Sequence, residues 1–395
     1  MEFNNTDVRN RFVELYKEEP LLVRSPARIN LIGEHTDYND GFVMPAAIDK
    51  EIIFGIAPSN DSVSRIYSLN FNEGVEVNLN NPEKVTSPKW ANYLLGVIRS
   101  LRNSDLPLKP FNCVLGGNIP AGSGVSSSAA LECGFVYALN ELNGLNLPKI
   151  DMIKRAQWAE HNYAGVKCGI MDQFASMMGK KDHVFVLDCR SLEYHYFPIE
   201  LNGYALVLLD TNVKHSLADS EYNTRRKECE QGVAILKKHN PAISSLRDVT
   251  LEFLNEHRSE FTEVVYNRCL YVVSENLRVE GASKDLAKGD IKSFGAKMNE
   301  THEGLSKLYQ VSCKELDFLA EVARKHPAVL GGRMMGGGFG GCTINIVKKE
   351  EINSFIAQLE KDYKTEFGIE MRSHIVSVND GSSHVTPLVT ASHAQ

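Results

Sequence analysis

The sequence predicts an α+β chain folded as two domains, and three observations lead there. At 395 residues the chain exceeds the roughly 250–300 that one hydrophobic core supports. Strand-like alternation and helix-like spacing are mixed along its length. The last third runs helix, strand, strand, helix, strand, an order that folds as an antiparallel sheet covered by helices.

Residues 111–115 (FNCVL) predict a short strand leading into a turn. From Ser128 to Leu142, Leu131, Phe135, Ala138, Leu139 and Leu142 recur at helical spacing, and Gly144 is placed to close the helix. Asp151 to Tyr163 predicts another helix. Residues 183–189 (HVFVLDC) and 204–210 (YALVLLD) predict strands, the second apolar enough to be central in its sheet. Glu315 to Lys325 predicts an amphipathic helix stopped by Pro327. Residues 328–347 (AVLGGRMMGGGFGGCTINIV) predict strand, glycine turn and strand. Ile352 to Tyr363 puts Ile352, Phe355, Ile356 and Leu359 on one helical face, and residues 371–378 (MRSHIVSV) predict a last strand. The order in this second half is ferredoxin-like. A mixed sheet is expected in the first half, with the boundary near residue 200, giving domains 1–200 and 201–395. The tail beyond Ser382 is expected to fray.

A formal net charge of −7 without a basic block argues against nucleic acid or an anionic membrane as partner. It does not exclude a phosphate ligand, whose site is made locally from backbone N–H groups and a few cations. The first twenty residues mix charge and polarity and do not form a signal peptide. No apolar run reaches the roughly 18 residues of a membrane helix. The eight cysteines are scattered, with no C-x-x-C pair and no zinc spacing. They are expected to be reduced thiols in a cytoplasmic protein.

Four segments carry chemistry. In residues 116–132 (GGNIPAGSGVSSSAALE) glycines and serines run straight into a helix. Such a loop curls its N–H groups inward and adds the positive end of a helix dipole, a cradle for a nucleotide's phosphates. The bland alternative is a strand–turn–helix join capped by serine. No lysine follows the glycines, so this is not a G-x-x-x-x-G-K-[ST] loop. In residues 26–48, Arg28, Glu34, His35 and Asp37 crowd between apolar flanks, a density of donors and acceptors suited to a polyhydroxylated ligand. A solvated hairpin loop is the competing reading. In residues 331–344, Gly336, Gly338 and Gly341 satisfy G-x-G-x-x-G, but a strand follows where a dinucleotide fingerprint needs a helix. The glycines are expected to form a tight turn that lets a backbone or a phosphate come close. In residues 159–174, Glu160 ends a helix and Asp172 follows a glycine-containing loop. Residue type alone leaves open a surface carboxylate for the first and a cap or buried hydrogen-bonder for the second.

Together, and in order from about Arg24 to Ile346, these segments resemble the galactokinases of the galactokinase–homoserine kinase–mevalonate kinase–phosphomevalonate kinase superfamily. RINLIGEHTDYNDG is the most specific stretch; PAGSGVSSSAALE resembles the superfamily's phosphate loop and GGRMMGGGFGGC its third motif. The resemblance implies two α/β domains with ATP and sugar in the cleft between them. It implies transfer of the ATP γ-phosphoryl to the 1-hydroxyl of α-D-galactose, with Mg²⁺ and no partner beyond these small molecules, in a monomer. By motif position Asp172 is the catalytic carboxylate and Arg28 its partner. Glu34, His35, Thr36, Asp37, Asp172 and Tyr222 hold the sugar, as does Gly169 through its backbone. Gly122, Ser123, Gly124, Val125, Ser126, Ser127 and Ser128 wrap the phosphates, and Ser128 and Glu160 bind Mg²⁺. Asp40 departs from the glycine many members carry there, a tolerable turn residue.

A carboxylate paired with an arginine is a weak base at neutral pH, so Asp172 is expected to orient the hydroxyl and accept its proton late. Adenine contacts do not carry over by motif; Trp90 is a candidate wall, with a core role favoured. Two rivals remain: an N-acetylgalactosamine kinase, disfavoured by HTDY at residues 35–38, and a galactose- and ATP-binding regulator without turnover. Intact Ser127, Ser128, Ala129, Arg28, Glu160 and Asp172 favour an enzyme.

Overall fold

The computed structural model describes residues 5–214 and 218–385. Its strands are β1 (Leu21–Asn30), β2 (Phe42–Val43), β3 (Pro45–Pro58), β4 (Ser64–Ser68), β5 (Glu73–Val77), β6 (Phe111–Gly117), β7 (His183–Asp188), β8 (Tyr194–Pro198), β9 (Tyr204–Lys214), β10 (Val329–Met334), β11 (Gly340–Lys348), β12 (Arg372–Val376) and β13 (Ser383–His384). Its α-helices are α1 (Asn5–Tyr16), α2 (Ala91–Arg102), α3 (Ser127–Asn143), α4 (Lys149–Ala159), α5 (Met171–Met178), α6 (Ala218–Leu236), α7 (Leu251–Glu256), α8 (Glu263–Ala287), α9 (Ile291–Gly304), α10 (Lys314–Lys325) and α11 (Ile352–Phe367).

The first half is built on a six-stranded sheet, β13-β1-β3-β6-β4-β5, flanked by a small sheet, β2-β7-β8. The larger sheet is mixed as expected: β4 runs parallel to β6 and the other pairings are antiparallel. The helix foreseen from Ser128 to Leu142 is α3, closed by Gly144 at φ +61° with its N–H on the Asn140 and Glu141 carbonyls.

The second half forms a four-stranded antiparallel sheet, β10-β11-β9-β12. This is the ferredoxin-like order, with α6 to α10 elaborating its first crossover. The expected central place of residues 204–210 holds, and side-chain alternation explains their unbroken apolar run. Leu206 and Leu208 pack with Ile29, Leu31, Ile344 and Ile346, whereas Val207 and Leu209 pack against Leu319, Phe355 and Leu359. The first of these cores joins the two halves. At about 1.5–3 kcal/mol for each fully buried aliphatic side chain, it fixes the walls of the cleft between them.

One expectation fails. The chain just beyond Ser382 does not fray: Ser383 and His384 pair with Arg24 and Val23 as an edge strand of the first sheet. The cause is a buried hydroxyl cluster in which Ser382 Oγ lies 2.9 Å from Ser25 Oγ and donates to the Ser176 carbonyl at 3.0 Å. Residues 386–395 lie outside the described residues. Among the described residues, no helix is long and apolar enough to cross a membrane.

Candidate active site

A cavity of about 290 Å³ opens where β1, the loop before α3, α5, α6 and the β10–β11 turn meet. It is lined by Arg28, Glu34, His35 and Asp37, by residues 122–128, and by Glu160, Asp172, Tyr222 and Gly336 to Gly338. The four sequence segments therefore converge on one place.

Asp172 lies in the first turn of α5, whose start aims its carboxylate across the cavity at β1. Arg28 forks onto it, Nε to Oδ1 at 2.7 Å and Nη2 to Oδ2 at 3.0 Å, and gives Nη1 to the Gly124 carbonyl at 2.7 Å. Ser126 Oγ donates to Asp172 Oδ2 as well. A bidentate guanidinium and a hydroxyl leave this carboxylate one orientation.

Ser126 also starts α3, at φ +57°, and its hydroxyl makes no capping bond to the helix. Its cap function has been given to Asp172, so it leaves the first-turn N–H groups of α3 for another acceptor, the arrangement an anion needs. Ser123 Oγ is spent inside the loop, on the Pro120 carbonyl at 2.9 Å. Behind the loop stands the β10–β11 turn. A side chain at Gly336, whose φ is +82°, would bring its Cβ within 2.9 Å of the Gly124 carbonyl oxygen. The glycine run thus serves a close backbone approach, as the strand that follows it implied.

Glu160 follows α4 in a widened turn, marked by the Gly165 N–H bonding the Glu160 carbonyl at 2.9 Å. Its Oε1 accepts from Ser128 Oγ at 2.9 Å and its Oε2 from Gln173 Nε2 at 2.6 Å. Burial, then the charge of Asp172, pushes its pKa up to about 7. Gln173 also reaches Glu132 Oε2 at 3.4 Å, a carboxyl that burial and then Glu160's charge push well above the usual range.

On the opposite wall Glu34 Oε2 accepts from Arg333 Nη2 at 2.9 Å and from the Gly336 N–H at 3.0 Å. Arg333 is fully buried and places its other N–H groups on the Leu31, Met334 and Asn30 carbonyls. His35 bonds Tyr38 through Nδ1 at 2.8 Å, and its ring leans on Tyr222 and Tyr309 with centroids 5.4 and 5.0 Å away. Burial, then the charge of Arg225, lowers its pKa to about 3, so the imidazole is neutral. Asp37 is pushed up to about 7, by burial first and then by Asp172 and Glu34.

One side chain expected on the sugar is turned away from the wall. Thr36 turns its hydroxyl inward, to the Gly33 carbonyl at 2.8 Å and the Phe42 carbonyl at 2.6 Å, and so braces the loop. Gly169 backs Asp37: a Cβ there would lie 2.1 Å from Asp37 Oδ2. Trp90 packs half-buried against the first core, in keeping with the favoured role, and also faces open space. It lines a second, apolar cavity of about 500 Å³ that shares Tyr93, Ser127 and Ser128 with the first. Its ring lies parallel to Phe71, 6.4 Å between centroids, and its Nε1 is anchored on Glu73 at 2.8 Å.

Sequence reasoning missed Arg333, Gln173 and Phe71. Arg333 had a signal, since a cation inside an apolar strand needs a buried partner. Gln173 and Phe71 had none beyond neighbouring a motif.

The chain matches the models "GHMP kinases N terminal domain" over residues 92–180, "Galactokinase galactose-binding signature" over 10–58 and "GHMP kinases C terminal" over 282–365. It is 42% identical to the galactokinase of Thermotoga maritima over 91% of this chain and 98% of that one. The chain belongs to the galactokinase family. It is also 40% identical to the Clostridium perfringens galactokinase over 98% of this chain and 100% of that one. The structure of Lactococcus lactis galactokinase complexed with galactose superposes with a TM-score of 0.92, at 34% identity over 95% of this chain and 98% of that one. The L. major mevalonate kinase, 18% identical with a TM-score of 0.60 over 90% of this chain and 95% of that one, shares the fold. As a member of this family the chain is an ATP-dependent sugar kinase.

Proposed function

We propose that this kinase transfers the ATP γ-phosphoryl group to the 1-hydroxyl of α-D-galactose, giving galactose 1-phosphate and ADP. The observation that carries the reading is the position of Asp172. Its carboxylate is locked by Arg28 in the cavity that the polar wall of Glu34, His35 and Asp37 shares with the start of α3, where Ser126 bonds it.

In this reading Glu34 and Asp37 take hydroxyls of the sugar, neutral His35 offers a ring nitrogen, and Tyr222 gives the ring face a wall. A sugar hydroxyl both donates and accepts, so it suits Asp37 in either protonation state. The reacting hydroxyl donates to Asp172, which the Arg28 fork holds in one orientation. Its oxygen attacks the γ-phosphorus, the bond to the β–γ bridging oxygen breaks, ADP leaves, and the proton passes to Asp172 late. Arg28 remains beside the moving group as a fixed positive charge. The loop Gly122 to Ser128 presents N–H groups to the phosphates. Trp90 and Phe71 offer parallel faces for the base.

Ser128 and Glu160 fit Mg²⁺. They bring hard oxygen donors 2.9 Å apart to the cavity edge, and Glu160 is a buried carboxylate near Asp172 with no cation bonded to it among the described residues. The ion, when bound, supplies charge neutralisation at ATP's phosphates; Gln173 and Ser128 hold the carboxylate that receives it.

The division falls near residue 200: the first part holds the sugar loop and phosphate loop, and the second closes the cleft through Tyr222 and the β10–β11 turn before β13 returns to the first sheet. A cytoplasmic monomer is the fitting form. All eight cysteines are free thiols, and the large exposed apolar side chains, such as Leu15, Phe71 and Ile375, are spread along the chain.

The test is ADP release from ATP and Mg²⁺ with galactose, N-acetylgalactosamine, glucose or no sugar. Turnover with galactose alone is expected. Turnover with N-acetylgalactosamine instead would reassign the acceptor, and saturable galactose binding without ADP would make the chain a sensor.

A further inference from the structure

Beyond the end of α6, the helix that carries Tyr222, two imidazoles and a carboxylate meet. His239 lies three residues past the helix, held by its N–H on the Leu236 carbonyl at 3.0 Å. His257 ends α7, and Glu260 closes the short turn after it. Glu260 Oε1 lies 2.7 Å from His239 Nε2 and 3.4 Å from His257 Nδ1. The two rings stack with centroids 3.9 Å apart and planes at 20°, and Phe253 stands edge-on to His257 at 4.7 Å.

An ordinary surface ion pair needs one cation. Here two ring nitrogens from separate elements lie within 3.4 Å of a single oxygen atom, and all three ligand atoms lie within 4.8 Å of one another. None of them touches the phosphoryl-transfer cleft.

We propose that His239, His257 and Glu260 form a binding site for a late divalent transition metal, Zn²⁺ above all. A metal takes imidazole ligands at about 2.0–2.1 Å in the plane of each ring, so to share one ion the rings must turn out of their stack while Glu260 draws back to become the third ligand. Two nitrogens and one oxygen suit Zn²⁺, Ni²⁺ or Cu²⁺ and not Mg²⁺ or Ca²⁺, so the site does not compete for the nucleotide's ion. His239 and Glu260 are 35% and 39% exposed at their side chains, which leaves the fourth position to water. The metal would close the loop between residues 239 and 257 and tie the end of α6 to the turn before α8.

The test titrates Zn²⁺ alone into the purified, nucleotide-free full chain by calorimetry, in wild type, His239→Ala, His257→Ala and Glu260→Gln. Thermal melting and kinase turnover confirm that each variant is folded. The expected result is one saturable equivalent in wild type. Either histidine change should weaken it by more than the roughly 10–100-fold typical of losing a mere supporting contact. Zn²⁺ should also raise the melting temperature of wild type but not of His257→Ala. No saturable binding in wild type overturns the proposal, and so does an equivalent retained in both histidine variants. Because turnover is read separately, neither result bears on the sugar-kinase assignment.

Discussion

Asp172 and Glu160 face the same cavity in opposite settings. Asp172 is gripped by a guanidinium through two bonds and by a serine hydroxyl. Among the described residues Glu160 receives neutral donors only, from Ser128, Gln173 and the Cys168 thiol, and lies beside a second buried carboxyl, Glu132. One carboxylate has its counter-charge built into the fold, and the other is held in shape with none. The difference assigns their work. The neutralised group can meet a substrate hydroxyl without repelling incoming phosphate, and the other is ready for a cation that arrives with the nucleotide. Burying a carboxylate without a cation is costly, so Glu160 holds a proton more readily than an ordinary carboxyl and gains from a ligand that brings positive charge.

The largest effect should come from breaking the first setting. Asp172→Asn is expected to lower kcat by about 10²–10⁴-fold, the range for a positioned proton acceptor, while ATP affinity stays nearly unchanged. Loss of nucleotide binding in that variant would show that Asp172 serves the other pole. Arg28→Lys should also be severe, because a lysine cannot make the fork. Next comes Trp90→Ala: losing one base-stacking face costs about 1–3 kcal/mol, read as a rise in KM for ATP with KM for galactose unmoved. Gln173→Leu strips Glu160 of a donor at about 1–3 kcal/mol and should raise the Mg²⁺ concentration for half-maximal activity. Equal Mg²⁺ dependence in wild type and variant would remove Gln173 from the comparison. Thr36→Val should reach about 1–2 kcal/mol, read as lower thermal stability with little change in KM for galactose, since its hydroxyl faces the chain. The smallest effect is on pH dependence. Asp37 and Glu160 have pKa values raised to about 7 in the fold, so the folded chain holds protons that the unfolded chain has lost. Their contribution to stability is therefore present below the ordinary carboxylate range and is lost as pH rises toward 7. Glu160→Gln should flatten that part of the stability profile in ligand-free protein.

Much of this was legible in the sequence because it was local. Helix α3 shows in its apolar spacing and in Gly144, and the β10–β11 turn in glycines followed by a strand. The central place of β9 shows in a run apolar on both faces. What pairs across the cleft was not legible. Nothing near Gln173 says that it reaches Glu160, thirteen residues back around a widened turn, nor does the segment around Phe71 announce a ring parallel to Trp90. Thr36 was misjudged for the same reason: a threonine within a polar motif looks like its neighbours until the fold decides which way its hydroxyl points. Ser382 anchors the last strand through serines 206 and 357 residues away, a contact no window of sequence contains.

The most direct test of the division of labour is calorimetric ATP binding with and without Mg²⁺ in wild type, Asp172→Asn and Glu160→Gln. The account predicts that Asp172→Asn keeps the gain in affinity that Mg²⁺ confers and that Glu160→Gln loses most of it. A gain retained in Glu160→Gln and lost in Asp172→Asn would contradict it.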